Sequence, residues 1–358
     1  MNKHIFYIAA ACAALASCVK NEVRVNAPDK EITFQTVSTK AGAAFDINHK
    51  FYSYAYFLEK DKTWDANHKD AQLYIDNANI YCHADAPSKK FWAADKTYYW
   101  PKQGSLTFFA WTDDTPSPSI AGTGAKVSCE HDTGIKIENY SVIENKDKDI
   151  LVAEIAKDKK ANETQASTAW EKGVPTVFRH ALASVEFKVN KKENYDKVEF
   201  RVKSIPLNNV YTKGTFTQGS PDETTGWKWS DWAEPAASIP VFTNAAGLEV
   251  TKTADVTAPN KGFDILTPAT GDYSIVLPQN FDAASTSELT IVYDIITKYT
   301  GTPVTETVKE TKKLNEIYKD NWNCKKKYVL GITLGLNEIY WDPSVEGWET
   351  GAVTDIQF

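Results

Sequence analysis

The feature that most limits what this chain can fold into is a strict alternation of apolar and polar residues. In SVEFKVN, Val185, Phe187 and Val189 are separated by Ser184, Glu186, Lys188 and Asn190, and KVEFRVK repeats the pattern with Val198, Phe200 and Val202. A period of two collects the apolar residues on one face of a strand, whereas a helix would scatter them around its axis. The six residues KKENYD between the two runs are short enough for an antiparallel hairpin. Further strands are expected at Ile32–Val37, Phe51–Leu58, Leu106–Trp111, Ile150–Ile155, Ser274–Leu277, Leu289–Ile296, Tyr328–Leu334 and Ile339–Trp341, separated by clusters of Gly, Pro, Asn, Asp and Thr. No amphipathic helix of three or more turns is evident. The 11 Trp, 17 Tyr and 16 Phe against one Met suit half-buried pleated surfaces, so the chain reads as all-β, built of sandwiches.

The 358 residues exceed the roughly 100–200 of one domain. KDKKANETQASTAWEKGVPT, residues 157 to 176, is polar and lacks either periodicity. It divides the chain into expected domains 18–172 and 173–358, after a segment 1–17 of a different kind. That segment has a basic tip, an apolar run from Ile5 to Leu15, and small residues before Cys18. The run is about half of the roughly 20 residues a membrane-spanning helix needs, so it is a targeting signal. Leu15, Ala16 and Ser17 before Cys18 resemble a bacterial lipobox. The resemblance implies a cysteine that is acylated and becomes residue one, with outer-membrane lipid as a partner. Each buried methylene of such an anchor contributes about 0.8 kcal/mol.

The net charge of −7 becomes −8 once Lys3 leaves with the signal, and no long basic run remains, which argues against nucleic acid as a partner. Cys82, Cys129 and Cys324 are too widely spaced for a disulfide framework or a zinc site. His83 beside Cys82 and His131 near Cys129 do not have the spacing of a closed metal site. His180, at the head of an apolar strand, reads as a hydrogen-bonded structural histidine. No GxSxG, HExxH, phosphate-binding loop or dinucleotide fingerprint occurs, so no catalytic residue, cofactor or metal is expected and the chain does not read as an enzyme.

The blocks TYYWPKQGSLTFFAW, KDILVAEIAKD, FRHALASVEFKV, VLPQNF and YVLGITLGLNEIYWDPSVEGW resemble, in order and wording, the fimbrillin (type V pilin, Mfa-like) family of Bacteroidales outer-surface lipoproteins. The resemblance implies two tandem transthyretin-like β-sandwich domains, a lipidated precursor and export to the cell outer membrane, in a fimbrium. It implies a pilus subunit or adhesin whose partners are other fimbrial subunits and a host or bacterial surface ligand. In polymerising members a protease cuts after a basic residue beyond the first strand, and the groove so opened accepts a strand from the next subunit. Here the strand to be removed is EITFQTV, with Ile32 and Phe34 on one face; Lys40 is the first basic residue after it. The candidate donor is the tail GAVTDIQF with Val353, Ile356 and Phe358, which reads equally as the last strand of its own domain. A second reading, a non-polymerising glycan-binding lipoprotein, rests on Trp227 and Trp229 in TTGWKWSDWAEP, since Trp faces stack on sugars.

Overall fold

The computed structural model describes residues 31–38, 45–86, 89–146, 148–161, 173–220, 226–236, 238–253, 263–299, 301–319 and 321–348. Strands dominate these residues, numbered β1 to β21 along the chain, and the two α-helical pieces, Trp64–Asn67 and Leu314–Ile317, are single turns. The chain is all-β, as its alternation predicts.

The N-terminal sheet contains β1 (Phe34–Ser38), β2 (Phe51–Leu58), β3 (Gln72–Ala86), β4 (Lys89–Ala94), β5 (Ser105–Thr112), β8 (Leu151–Ala153), β9 (Ala156–Lys159) and β10 (Val174–His180). Its order is β2-β3-β4-β1-β10-β8-β5-β9, and β2 also pairs with β5, so the sheet closes on itself around an aromatic core. Strand β1 closes that ring between β4 and β10. A second sheet, β14-β13-β7-β6, is built from β6 (Lys126–Glu130), β7 (Gly134–Ser141), β13 (Val210–Thr217) and β14 (Lys228–Ala236). Ile137, Tyr140 and Phe216 from this sheet share a core with Tyr54, Tyr56, Phe109 and Trp111 of β2 and β5. Strand β5 is therefore buried on both faces, which explains the consecutive apolar residues FFAW in SLTFFAWT.

The C-terminal sandwich pairs β11 (Ala183–Lys191), β16 (Asp264–Leu266), β17 (Ile275–Val276), β20 (Lys326–Leu334) and β21 (Ile339–Gly347) in one sheet. The other contains β12 (Val198–Asn208), β15 (Ile239–Glu249), β18 (Glu288–Thr297) and β19 (Val304–Lys313). Val185, Phe187 and Val189 from β11 meet Phe200 and Val202 from β12 inside it.

Two expectations are corrected here. SVEFKVN and KVEFRVK do not form a hairpin: β11 pairs with β20 in parallel and β12 with β15 and β18, so the KKENYD connection crosses between sheets. Both apolar faces are better buried against each other than side by side in one sheet. The seam at 172/173 does not separate sheets either. Strand β10 lies beyond it and pairs with β1 and β8, and β13 returns to pair with β7.

Candidate functional site

Strand β1 is short, and its seat is apolar. Ile32 and Phe34 are 2% and 3% exposed. The Phe34 ring lies edge-on to Phe51 at 5.6 Å and to Phe108 at 5.8 Å. Around it, Phe45 stacks on Phe178 at 5.3 Å and tilts against Trp92 at 5.2 Å. Burial of such rings is worth roughly 2–3 kcal/mol each, and edge-to-face geometry adds to it.

Among the described residues the main-chain ladder on β1 lies mostly along β10. There it is parallel, from Phe34↔Val174 to Ser38↔Phe178, and β4 adds the pair Phe34↔Trp92. The N–H of Val174 donates to the Thr33 carbonyl at 2.7 Å, and the Ile32 N–H donates to the Tyr98 carbonyl at 2.8 Å. On the opposite edge of β10, the Glu154 N–H donates to the Val177 carbonyl. Main-chain groups alternate sides along a strand, so Val174, Thr176 and Phe178 face β1. Pro175, which has no N–H, faces away, and the β1 edge keeps its donors. At the head of β10 the main chain approaches closely: a Cβ on Gly173 would lie 2.7 Å from Thr33 and Phe34 main-chain atoms, and its φ is +103°.

The other end of β10 is fastened to the end of the described chain. His180 Nδ1 lies 2.6 Å from Asp149 Oδ2 in a buried pair, as expected of a structural histidine. The Trp348 ring stacks on the His180 ring at 3.8 Å with planes 8° apart. The Lys325 N–H donates to the His180 carbonyl at 3.2 Å, and the Trp348 N–H donates to the Lys325 carbonyl at 3.0 Å. Past β1, the lane beside β10 is thus continued by Lys325, with Trp348 next to it.

Leu15, Ala16, Ser17, Cys18, Lys40, Val353, Ile356 and Phe358 lie outside the described residues. Lys40 belongs to the stretch joining β1 to the buried Phe45. Of the tryptophans offered for sugar stacking, Trp229 is corrected: it is 5% exposed, its ring packs near Tyr140 and Phe216, and its Nε1–H donates to the Ala181 carbonyl at 2.7 Å. Trp227 is half-buried, edge-on to Phe216, with Lys325 Nζ 3.8 Å from its ring centroid. His83 stacks between Tyr81 and Phe91. His131 lies 3.2 Å from Asp132, and no group of three metal-ligating side chains occurs among the described residues.

Gly173 and the β10 edge escape a sequence reading because they fall in what looks like a polar seam. The inward set Val174, Thr176, Phe178 and His180 has strand periodicity, but Pro175 inside the run argues against a paired strand.

The overall fold is shared with a solved protein. A fimbrial protein from Bacteroides vulgatus ATCC 8482 superimposes with a TM-score of 0.60 at 18% identity, covering 89% of this chain and 99% of that one. More distant is the tip fimbrial protein Mfa3 from Porphyromonas gingivalis, with a TM-score of 0.39 and 8% identity over 89% of this chain and 100% of that one. No functionally curated protein matches at a significant level. The sequence profile of the fimbrillin-like family matches residues 39–348, and the chain belongs to that family.

Proposed function

We propose that this protein is a fimbrial subunit or surface adhesin that is made as a lipid-anchored precursor and assembles by exchanging β1 for a strand of another subunit. The observation that carries the reading is the seat of β1. Two buried apolar side chains, Ile32 and Phe34, plug an aromatic floor, while the main chain is held along five residue pairs on β10 and one on β4. A strand seated in this way leaves, when removed, an apolar slot beside a row of unpaired main-chain groups. A replacement strand supplies the hydrogen bonds through its backbone and fills the slot with alternate side chains. Family membership and the fimbrial protein of similar fold support assembly at the cell surface.

In this scheme Cys18 carries the lipid at the outer membrane, and a protease cutting after Lys40 releases residues up to the end of β1. Val353, Ile356 and Phe358 are the apolar residues of the donor. The partners are further fimbrial subunits and a surface ligand, and the chemistry of the chain is that of assembly. The test is the N-terminus of the native protein, measured by mass spectrometry on sheared surface filaments and on membranes separately. Filament protein beginning at Ala41 supports the reading. Acylated Cys18 alone, confined to membranes, would refute the polymerising role.

A further inference from the structure

The C-terminal sandwich is open along one side. Strands β19 and β21 are the outer members of its two sheets, and among the described residues each is paired along one edge only, β19 with β18 and β21 with β20. A groove of about 510 Å³ lies between them. Its floor is apolar: Tyr293 is 4% exposed, and Ile295, Val308, Ile339 and Trp341 pack, partly buried, against the C-terminal core.

The charges of β19 are sorted by face. Residues directly opposite in an antiparallel ladder project to the same side. Glu306 lies opposite Ile295, Val308 opposite Tyr293 and Glu310 opposite Ile291, so Glu306, Val308 and Glu310 face the groove. Lys309 and Lys313 have the other parity and face away, where the Thr307 hydroxyl donates to Asp294. Glu316, in the single turn after β19, adds a third carboxylate to the groove wall. Glu338 is paired with Lys192, whereas Glu306, Glu310 and Glu316 form no ion pair among the described residues. Burial raises the Tyr293 phenol above its ordinary value, and Glu310 and Glu306 raise it further, so the field of these two carboxylates reaches the floor. A charged edge discourages sheets from joining whichever face its charges take. Sorting them gives the groove its sign.

We propose that this groove takes an extended segment of a partner protein, added as a strand along the free edge of β19, with Lys or Arg opposite Glu306 and Glu310 and an apolar residue opposite Val308. The main chain of the added strand pairs with the open edge, and its alternate side chains enter the groove. A lysine or arginine stem can lie on the apolar floor while its charged head meets a carboxylate, and opposite charges facing each other across a ladder are favourable. Glu306 and Glu310 are four residues apart on one strand, roughly 13 Å, so the two basic residues must also be four apart. Because Val308 is midway, the pattern is the same for a parallel or an antiparallel strand. An acidic segment would be repelled. The site is separate from the seat of β1 and does not depend on its exchange.

The experiment titrates the peptide Thr-Lys-Thr-Val-Thr-Lys-Thr into the full chain without its signal, with Thr-Glu-Thr-Val-Thr-Glu-Thr and spermine as controls. The lysine peptide is expected to bind at least roughly tenfold tighter than the glutamate peptide. Its affinity should fall about tenfold between roughly 0.02 and 0.5 M salt, and it should slow hydrogen exchange over residues 304–313 severalfold. The double variant Glu306→Gln, Glu310→Gln should weaken binding roughly tenfold at an unchanged unfolding midpoint, since both side chains are exposed. Lys309→Gln with Lys313→Gln, on the other face, should not weaken it. No binding of the lysine peptide, equal binding of the two peptides, or binding without protection of residues 304–313 overturns strand addition at this edge. Spermine that displaces the peptide at equal concentration also overturns it, by reducing the groove to a cation patch. Binding that appears only when the chain is ended at Trp348 overturns it as well, because the groove is then covered by the chain's own residues.

Discussion

A methyl group on Gly173 would lie 2.7 Å from the carbonyl carbon of Phe34, because β1 and the head of β10 approach more closely than a side chain allows. The contact is main chain against main chain, so relief requires β1 to move. Gly173→Ala is expected to destabilise the uncut chain by about 1–3 kcal/mol. Part of that loss comes from the φ of +103° and persists without β1, while the steric part disappears. Thermal unfolding before and after removal of β1 separates them: the variant should lose less stability in the processed form. An equal loss in both forms would mean that β1 does not press on Gly173.

Phe34 is expected to anchor β1 more than the ladder does. Phe34→Ala removes an edge-to-face contact with each of Phe51 and Phe108 and leaves a cavity in a packed core, at about 3–5 kcal/mol. Gln35→Ala, on the half-exposed face, should stay within about 0.5 kcal/mol. Urea unfolding of both variants, and the rate at which a cut β1 peptide dissociates, check the ranking. Comparable effects would place the hold in the backbone.

The two halves are expected not to fold apart when cut at the polar seam. A chain ending at residue 172 lacks β10, the partner of β1 and β8, and β13, the partner of β7. Such a fragment should show no cooperative unfolding transition and should bind dyes that report exposed apolar surface. A sharp transition would restore the seam as a domain boundary.

How much of this was legible in the sequence depends on which face of a strand is wet. Phe51–Leu58 is found to the residue, and β20 within two, because turn residues bound dense apolar runs. Strand β19, VTETVKETKK, is invisible to periodicity: it is exposed on both faces, Val304 by 68%, and is held by its main-chain ladder with β18. Alternation also fixes which face of a strand is buried without fixing its neighbour, and for that reason β11 and β12 were expected to pair and instead oppose each other. The aromatic floor of the site was legible as strands, but its closing edge was hidden behind Pro175, and the stacking of Trp348 on His180 joins residues with no sequence signal at all.

The thiols of buried Cys129 and half-buried Cys324 set an alkaline limit. Burial pushes Cys324 up to about 12, with Lys325 opposing the shift, and raises Cys129 well above the ordinary thiol value. A folded-state value above the unfolded one favours the neutral thiol in the native state. Its contribution is complete below about pH 9 and is lost as the pH rises through the folded value. Stability should therefore fall between about pH 9 and 12, and the fall should be smaller in Cys324→Ala, measured by urea unfolding at pH 8 and pH 10.5. An identical pH dependence in that variant would assign the decline to other groups.

His180 joins the strand that seats β1 to the point where the tail leaves, and the two contacts can be weakened independently. Asp149 is buried with His180 Nδ1 at 2.6 Å. His180→Ala removes both this partner and the surface on which Trp348 stacks, and should cost about 3–5 kcal/mol because a carboxylate is left buried and unpaired. Asp149→Asn with His180 intact keeps a hydrogen-bonding group at the same place and should cost less. Trp348→Ala leaves the pair in place but removes the stack, so it should loosen the tail while the barrel core stays folded. Limited proteolysis from the C-terminal end reads that difference: faster trimming in Trp348→Ala at nearly unchanged unfolding midpoint. If trimming and global stability fall together, the tail is part of the core and does not act as a separate element fastened to β10.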